Sequence, residues 1–276
     1  MPAHLPRRDD CVDGAPSGSQ IRSILDADPV WAAYALGDLA PDYAPYSKWC
    51  LAAGESGMGL ILLFSRLSPP ALFAMGDSEG VARAIEHCDM PASVYMLTQR
   101  AHYDIIRHYY DAAPAELRNM WRMHLTDPVP VGTTVSLPDG LRLEALDLDD
   151  KDRMFRLYAH GGPYAPDAFD AYQVADGTFF GVTNTEGELL ASGGTHVVNW
   201  NAGVAAIGNM YTHPDYRSLG LGQAVLRAIS SSLIDRGVSS VVLNVDDRNS
   251  AARRLYERNG FEVYCPYVEG IGRKKQ

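Results

Sequence analysis

The fold of this chain is decided by the stretch Asn209-Met-Tyr-Thr-His-Pro-Asp-Tyr-Arg-Ser-Leu-Gly-Leu-Gly222. It leads from a strand end through an Arg-x-x-Gly-x-Gly turn into a helix. Gly220 and Gly222 let a ligand approach the backbone without interference from a Cβ atom. The amides that open the helix point outward without intrahelical partners, at the positive end of the helix dipole. Because Arg217 adds a planar charged group that suits phosphate oxygens, the stretch predicts a pyrophosphate site.

The segments around this turn alternate between strand and helix. Downstream, apolar residues at helical spacing predict a helix that ends near Gly237. A strand, a short helix and a final strand follow, at 241–245, 249–260 and 261–264. Upstream, alternating patterns predict four strands and two helices: 141–146, 178–182, 189–198 and 204–212, with helices at 149–158 and around 168–172. This order predicts an α+β fold with a mixed sheet.

These motifs, in this order, resemble the GCN5-related N-acetyltransferase (GNAT) superfamily. The matching residues are Gly208, Tyr211-Thr-His-Pro-Asp-Tyr-Arg217, Gly220-Leu-Gly222, Asn249, Leu255-Tyr256 and Asn259-Gly-Phe261. The resemblance implies an acyltransferase that uses acetyl-CoA, or another acyl-CoA, as co-substrate and needs no metal. No Gly-Lys-Ser/Thr, third glycine or following acidic residue supports a nucleoside triphosphate or dinucleotide site.

The resemblance places the acyl-CoA on the strand end and the turn. Met210 and Thr212 lie where the strand of this fold bulges, which frees backbone groups for the pantetheine arm and an amide for the oxyanion. The alternative is that both are ordinary sheet residues. The implied cofactor-binding residues are Met210, Tyr211, Thr212, Arg217, Ser218, Leu219, Gly220, Leu221, Gly222, Gln223 and Asn249.

Tyr256 and Asn249 are implied catalytic residues. They are seven positions apart, so both lie on one face of a helix. A phenol with a pKa of about 10 is protonated at neutral pH and can act as general acid towards the leaving CoA thiolate. Asn249 is expected to cap the helix as well as to contact the cofactor. Arg253, Arg254 and Arg258 are expected on a solvated face, or with one of them at the 3′-phosphate.

The usual general base of the family is missing, because many relatives carry Glu where this chain has Ala206. His196, His213 and Asp246 are candidates to replace it through a water molecule, and histidine has the intrinsic pKa nearest neutrality. We take His196 as the catalytic candidate, although histidines on strands are more often structural. An enzyme can also use the small neutral fraction of its amine without a base.

The loop His160-Gly-Gly-Pro-Tyr164 lies on the acceptor side in this fold. Its glycines allow a mobile lid in which Tyr164 lines the acceptor pocket, and a plain connector is the equal alternative. We expect a small-molecule or amino-acid-like amine as acceptor. The alternative function is a non-catalytic acyl-CoA-binding sensor or scaffold, which the alanine at position 206 favours and the retained Tyr256 disfavours.

A proline-rich segment at 127–140 predicts a domain boundary near residue 133, between domains 1–132 and 133–276. The first half shows a similar order of strands and helices but lacks an Arg-x-x-Gly-x-Gly turn. We interpret it as a degenerate GNAT-like domain that helps to form the acceptor cleft beside the catalytic C-terminal domain. This arrangement is similar to the tandem glycine N-acyltransferase group, and an unrelated α+β accessory domain is the alternative.

The composition and net charge of the chain restrict the classes of partner that it is expected to bind. With 46% hydrophobic and 21% charged residues, the chain is typical of globular proteins, and its net charge of −10 makes nucleic-acid binding a poor prediction. The acidity is expected to serve solubility or to steer cationic amines.

We find no signal-peptide core and no apolar segment long enough to span a membrane. The four cysteines lack zinc spacing and are expected to be reduced thiols. We therefore expect a cytoplasmic monomer or homodimer.

Overall fold

The computed structural model describes residues 16–128, 135–166 and 169–275. The chain divides into two compact units, of which the first is Met1–Met120 with Cys265–Gln276 and the second is Trp121–Tyr264. The predicted domain break near residue 133 lies outside the described residues, as does Ala168 at the start of one predicted helix.

The first unit is a sheet with helices between its strands. Its elements are α1 (Gly18–Leu25), α2 (Ala33–Gly37), β1 (Ser47–Ala53), β2 (Met58–Phe64), β3 (Ala71–Gly76), α3 (Ser78–His87), β4 (Ser93–Gln99), α4 (Arg100–Ile106) and β5 (Tyr110–Asp111). The strand order is β1-β2-β3-β4 followed by the C-terminal strand β12 (Phe261–Lys274). Strands β3 and β4 pair in parallel, and the other described pairs of this unit are antiparallel.

The second unit repeats this mixture of helices and strands. Its elements are the end of β6 (Leu117–Leu125), then β7 (Arg142–Leu146), α5 (Lys151–Tyr158), α6 (Ala171–Asp176), β8 (Phe179–Thr183), β9 (Leu189–Asn199), β10 (Val204–Thr212), α7 (Leu221–Asp235), β11 (Ser240–Asp246), α8 (Ser250–Glu257) and the start of β12. The strands lie in the order β6-β11-β10-β9-β8-β7. The predicted α+β fold with a mixed sheet is confirmed, although the final strand extends well beyond the four residues predicted for it.

Helix α7 provides much of the core of the second unit. Its buried apolar residues recur every three or four positions, as the sequence pattern predicts, and the helix packs on β8, β9 and β10. Val225 and Ile229 on this stripe are fully buried. Across the described ranges, no helix combines the length and apolar character needed to cross a bilayer.

The prediction of reduced thiols is wrong for Cys50 and Cys88, which form a disulfide with their Cα atoms 6.2 Å apart. Cys50 lies on β1, and Cys88 caps the end of α3. The two cysteines are 38 positions apart and form no motif, because only the packing of α3 against β1 brings them together. Cys265 takes part in no disulfide among the described residues, and Cys11 lies outside them.

Candidate functional site

The parallel strands β10 and β11 separate before either of them ends. Their ladder stops at the pair Ile207 and Leu243, and both strands continue beyond it. On the other side of β10, the antiparallel ladder with β9 shifts its register between Gly208 and Tyr211. The second unit therefore has a bulge at Asn209 and Met210, close to where its parallel pair opens. The resemblance implied a bulge at Met210 and Thr212, but Thr212 pairs with Ala191 in the ladder.

Asn209 sits in this bulge with a φ of +52°, a conformation that asparagine tolerates better than most residues. Its amide nitrogen donates to Gln173 Oε1 at 2.8 Å, and its Oδ1 lies 3.3 Å from His196 Nε2. Its backbone carbonyl accepts a hydrogen bond of 3.2 Å from the Tyr158 hydroxyl. Side chains from three other elements thus hold the bulge in place.

The His196 imidazole lies flat over Gly208, where any β-carbon would overlap the ring. A side-chain carbonyl oxygen can only accept, so Nε2 carries the hydrogen in its contact with Asn209. In the neutral ring the basic lone pair is therefore on Nδ1. This places a titratable group beside the bulge, and its geometry is compatible with the role predicted for it.

The predicted phosphate turn occupies residues 213–220, between β10 and α7. Ser218 and Gly220 have φ values of +67° and +80°. Gly220 occupies the N-cap position of α7 without a side-chain cap, so the first helical amides keep their outward hydrogens for a ligand. Arg217 is exposed, and its Nε donates to the carbonyl of Thr212 at 3.3 Å. An uncapped helix start next to an exposed guanidinium suits a diphosphate.

Several predicted cofactor residues turn their side chains into the protein. The Tyr211 hydroxyl donates to Gly161 O at 2.7 Å, Leu221 is buried in the core, and Gln223 Nε2 lies 3.4 Å from Asn259 Oδ1. Tyr211 and Leu221 are buried, so they offer a ligand their backbone groups, whereas Gln223 is partly exposed. Of the remaining residues, Leu219 is 44% exposed.

Two more of the predicted cofactor-binding residues, Met210 and Gly222, lie in close contacts that a glycine permits. Met210 packs its sulfur over Gly193, where a β-carbon would overlap it. A β-carbon at Gly222 would come within 3.3 Å of Thr212 Oγ1 and 3.6 Å of Leu255. The end of β10, the start of α7 and the helix α8 therefore meet at Gly222.

Helix α8 and its N-cap carry two of the three residues predicted to act in catalysis, Tyr256 and Asn249. Asn249 caps it as expected, with its Oδ1 accepting from Ala252 N at 3.1 Å. The Tyr256 ring is buried 6.1 Å from the Phe261 ring, and burial raises the pKa of its hydroxyl to about 12. Among the described residues, none forms a hydrogen bond with that hydroxyl. The phenol therefore keeps its proton at neutral pH and has it available for an incoming group.

The remaining base candidates are engaged elsewhere or absent. Ala206 is fully buried, and its methyl side chain cannot accept a proton as the glutamate of many relatives does. Asp246 is buried and accepts 2.9 Å and 2.7 Å hydrogen bonds from the Arg248 guanidinium, which raises the pKa of the arginine. His213 Nδ1 accepts from Asp215 N at 3.2 Å, as a turn residue would. Of the three candidates, only His196 lies at the bulge.

Comparison with known proteins assigns the family. A model of the acetyltransferase (GNAT) family matches residues 144–261. The mycothiol acetyltransferase of Thermobispora bispora is 30% identical over 265 residues, which cover 90% of this chain and 82% of that protein. This chain belongs to the GNAT family of acetyltransferases.

Two more matches agree with this assignment. The [ribosomal protein bS18]-alanine N-acetyltransferase of Escherichia coli K12 is 35% identical over 118 residues, 41% of this chain and 77% of that protein. A GCN5-related N-acetyltransferase structure from Sphaerobacter thermophilus, 17% identical, has a TM-score of 0.60 and covers 98% of this chain and 96% of its own. The relatives are enzymes, so the chain is an N-acetyltransferase, and its family uses acetyl-CoA as co-substrate.

Sequence reasoning missed the residues that organise this GNAT site. Asn209 stands at the start of the turn stretch and holds the bulge through its φ and its hydrogen bonds. Asn259 belongs to the motif after α8, and its Oδ1 accepts from Arg227 Nε at 2.8 Å, which ties the end of α8 to α7. The only available signal was the residue type, because asparagine is common at bends and helix ends.

Proposed function

We propose that this acetyltransferase transfers the acetyl group of acetyl-CoA to the amine of a small-molecule or amino-acid-like acceptor, by direct attack in the second unit. One observation carries the proposal. Strands β10 and β11 separate beside a bulge in β10, and residues 213–220 lead from the end of β10 to the start of α7, which has no side-chain cap. The opening suits an extended arm, and the helix start suits a diphosphate. A relative named mycothiol acetyltransferase matches 90% of the chain and supports a small acceptor.

Residues 217–223 fit the diphosphate of an acyl-CoA. The α7 start offers backbone amides and a partial positive charge, and Arg217 adds a full one. A β-carbon at Gly220 would make only an ordinary van der Waals contact, with Val135 Cγ1 at 3.5 Å, so no atom crowds the backbone at the turn. When bound, acetyl-CoA supplies an acetyl thioester that an amine can displace, with CoA leaving as a thiolate.

The bulge of β10 would orient the thioester carbonyl. Asn209 and Met210 lie between the paired residues Gly208 and Tyr211, so their backbone groups are outside the ladder with β9. An amide fixed in this position acts as an oxyanion donor that needs no reorganisation during the reaction. The hydrogen bonds of Asn209 would hold that amide in place.

Tyr256 would stabilise the leaving sulfur. Its pKa of about 12 exceeds that of a thiol, about 8.5, so complete proton transfer to the thiolate is uphill. The hydroxyl therefore serves chiefly as a hydrogen-bond donor whose interaction strengthens as negative charge develops. Asn249 caps the start of the same helix, and it would act by holding that helix in position and by contacting the cofactor.

His196 would receive the amine proton through water. The ring is held by its contact with Asn209, and Ala206 offers no carboxylate in competition. A base beside the bulge would lie on the acceptor side of the thioester. On this proposal, His196→Ala lowers kcat most at the acidic end of the pH profile, where the amine is most fully protonated.

Product analysis tests the proposal. The enzyme is incubated with acetyl-CoA and pooled amines, amino acids and an alanine-initiated peptide, and products are identified by mass spectrometry. We expect N-acetyl products from the small amines and little from the peptide. Acetylation of the peptide alone would overturn the small-molecule acceptor, and CoA release without any acetylated amine would overturn amine transfer.

A further inference from the structure

The first unit contains the same local arrangement that forms the cofactor groove in the second. Antiparallel β2 and β3 precede α3, and β3 then pairs in parallel with β4. That parallel ladder stops at Phe73 and Leu97, although β3 continues to Gly76 and β4 to Gln99. The strands thus open just beyond the last pair, as β10 and β11 do beyond Ile207.

In the first unit, this opening is filled by two aromatic side chains of the same chain. The fully buried Trp31 indole donates from Nε1 to Ala74 O at 3.3 Å, and it stacks on Phe73 with ring centroids 5.4 Å apart. Tyr267 packs its edge against the same indole at 5.5 Å. The first carbonyl that β3 presents beyond the paired region is therefore already bonded.

A second side chain bonds the end of β3. His102, on α4, is buried and its Nε2 lies 3.0 Å from Gly76 O, so the imidazole donates to that carbonyl. Burial lowers the pKa of His102, which keeps the ring neutral near physiological pH. The Ala74 and Gly76 carbonyls, which an extended pantetheine arm would otherwise meet, both have partners from the protein itself.

The N-terminus of α3 is also occupied by a side chain of the protein. Asp77 alone separates β3 from α3, where residues 213–220 separate β10 from α7. The Asp77 carboxylate accepts from Gly80 N at 2.8 Å and from Ser56 N at 3.1 Å, which gives this helix the anion that α7 lacks. A β-carbon at Gly80 would overlap the backbone of Gly59, so no gap remains beside the first turn.

We infer that the first unit is a closed copy of the acyl-CoA groove, filled by Trp31, His102 and Asp77, and that each chain binds one acyl-CoA, in the second unit. The inference rests on the proposed function in taking acyl-CoA as the ligand. The first unit keeps its fold without a ligand, because the three side chains form hydrogen bonds with the backbone groups that a ligand would otherwise bind.

Acetyl-CoA binding to the full chain tests this inference by equilibrium dialysis. We expect one site in the wild type and none in Gly220→Glu. Gly237→Glu is the matched control, because Gly237 has a similar φ of +88° at the opposite end of α7, and it should keep the site. Two sites in the wild type, or one site surviving in Gly220→Glu, would overturn the inference.

Hydrogen exchange of the wild type with and without acetyl-CoA locates the site independently of any variant. We expect new protection over residues 208–223 and unchanged exchange over 74–81. Ligand-dependent protection over 74–81 would overturn the closed first unit. Absence of protection in both segments would contradict the proposed groove of the second unit, while the first unit would still behave as inferred.

Discussion

Replacing Tyr256 by phenylalanine removes one hydroxyl from a buried ring and leaves the ring packing in place. The hydroxyl has no hydrogen-bond partner among the described residues, and burial raises its pKa to about 12. Because it donates to the leaving sulfur without full proton transfer, its loss should cost the value of a hydrogen bond to a charged group, about 1.5–3 kcal/mol. This corresponds to a fall in kcat of about 10- to 150-fold.

The KM for acetyl-CoA should change little, because the interaction grows only as charge develops on sulfur. The assay is steady-state CoA release at saturating acetyl-CoA and amine. We also expect wild type and variant to have pH profiles of the same shape up to about pH 10, since a phenol with a pKa near 12 remains protonated there. The free energy of unfolding should change by less than about 0.5 kcal/mol.

Tyr110→Phe is the matched control. Tyr110 is also buried, with a pKa raised by burial to about 12, but its hydroxyl donates to Pro91 O at 2.7 Å in the first unit. Its loss should lower the free energy of unfolding by about 1–2 kcal/mol and leave kcat unchanged. Unchanged kcat in Tyr256→Phe would remove Tyr256 from the mechanism. An equal fall in both variants would show a general effect on the fold.

The raised pKa of Tyr256 also predicts how stability responds to alkali. The folded phenol stays neutral up to about pH 12, whereas in the unfolded chain it ionises near 10.0. The benefit of the neutral form is therefore complete below pH 10 and is lost as pH rises through 12, by about 3 kcal/mol. Urea unfolding should show a steeper alkaline loss in the wild type than in Tyr256→Phe, and parallel curves would contradict the buried phenol.

Three further experiments test the rest of the site and fold. Gly220→Glu should weaken acetyl-CoA binding by at least about 100-fold in calorimetry, through repulsion and blockage at the helix start, and Gly237→Glu should not; equal affinities would contradict the phosphate turn. Asn209→Ala should lower kcat and stability more than Asn209→Gly, because glycine accepts the positive φ at no steric cost; equal damage would argue against a role for that backbone conformation. Cys50 and Cys88 should resist thiol titration in the denatured, unreduced protein, and reduction should lower stability by about 2–4 kcal/mol; two additional reactive thiols would contradict the disulfide.

The sequence was sufficient to predict the order of elements where periodicity was strong. Strand β10 has the predicted bounds, and the stripe on α7 is buried as predicted. Local patterns succeed here because alternation and helical spacing are properties of the segment itself. The same holds for the Asn249 cap, which depends on residues within one turn.

Features that depend on tertiary contact were not predictable. The extra length of β12 comes from its pairing with β4, which no local pattern in residues 265–274 indicates. The Cys50–Cys88 bond depends on α3 packing against β1. Similarly, no local pattern indicates that Asp246 is bound to Arg248 and so is a poor base, because the pairing depends on the turn after β11.

Initial-rate kinetics with both substrates varied test the central claim of direct attack most directly. The account predicts intersecting double-reciprocal lines, which show that acetyl-CoA and amine occupy the enzyme together before CoA leaves. It also predicts no exchange of labelled CoA into acetyl-CoA when amine is absent. Parallel lines with amine-independent exchange would show an acetylated enzyme intermediate and contradict the account.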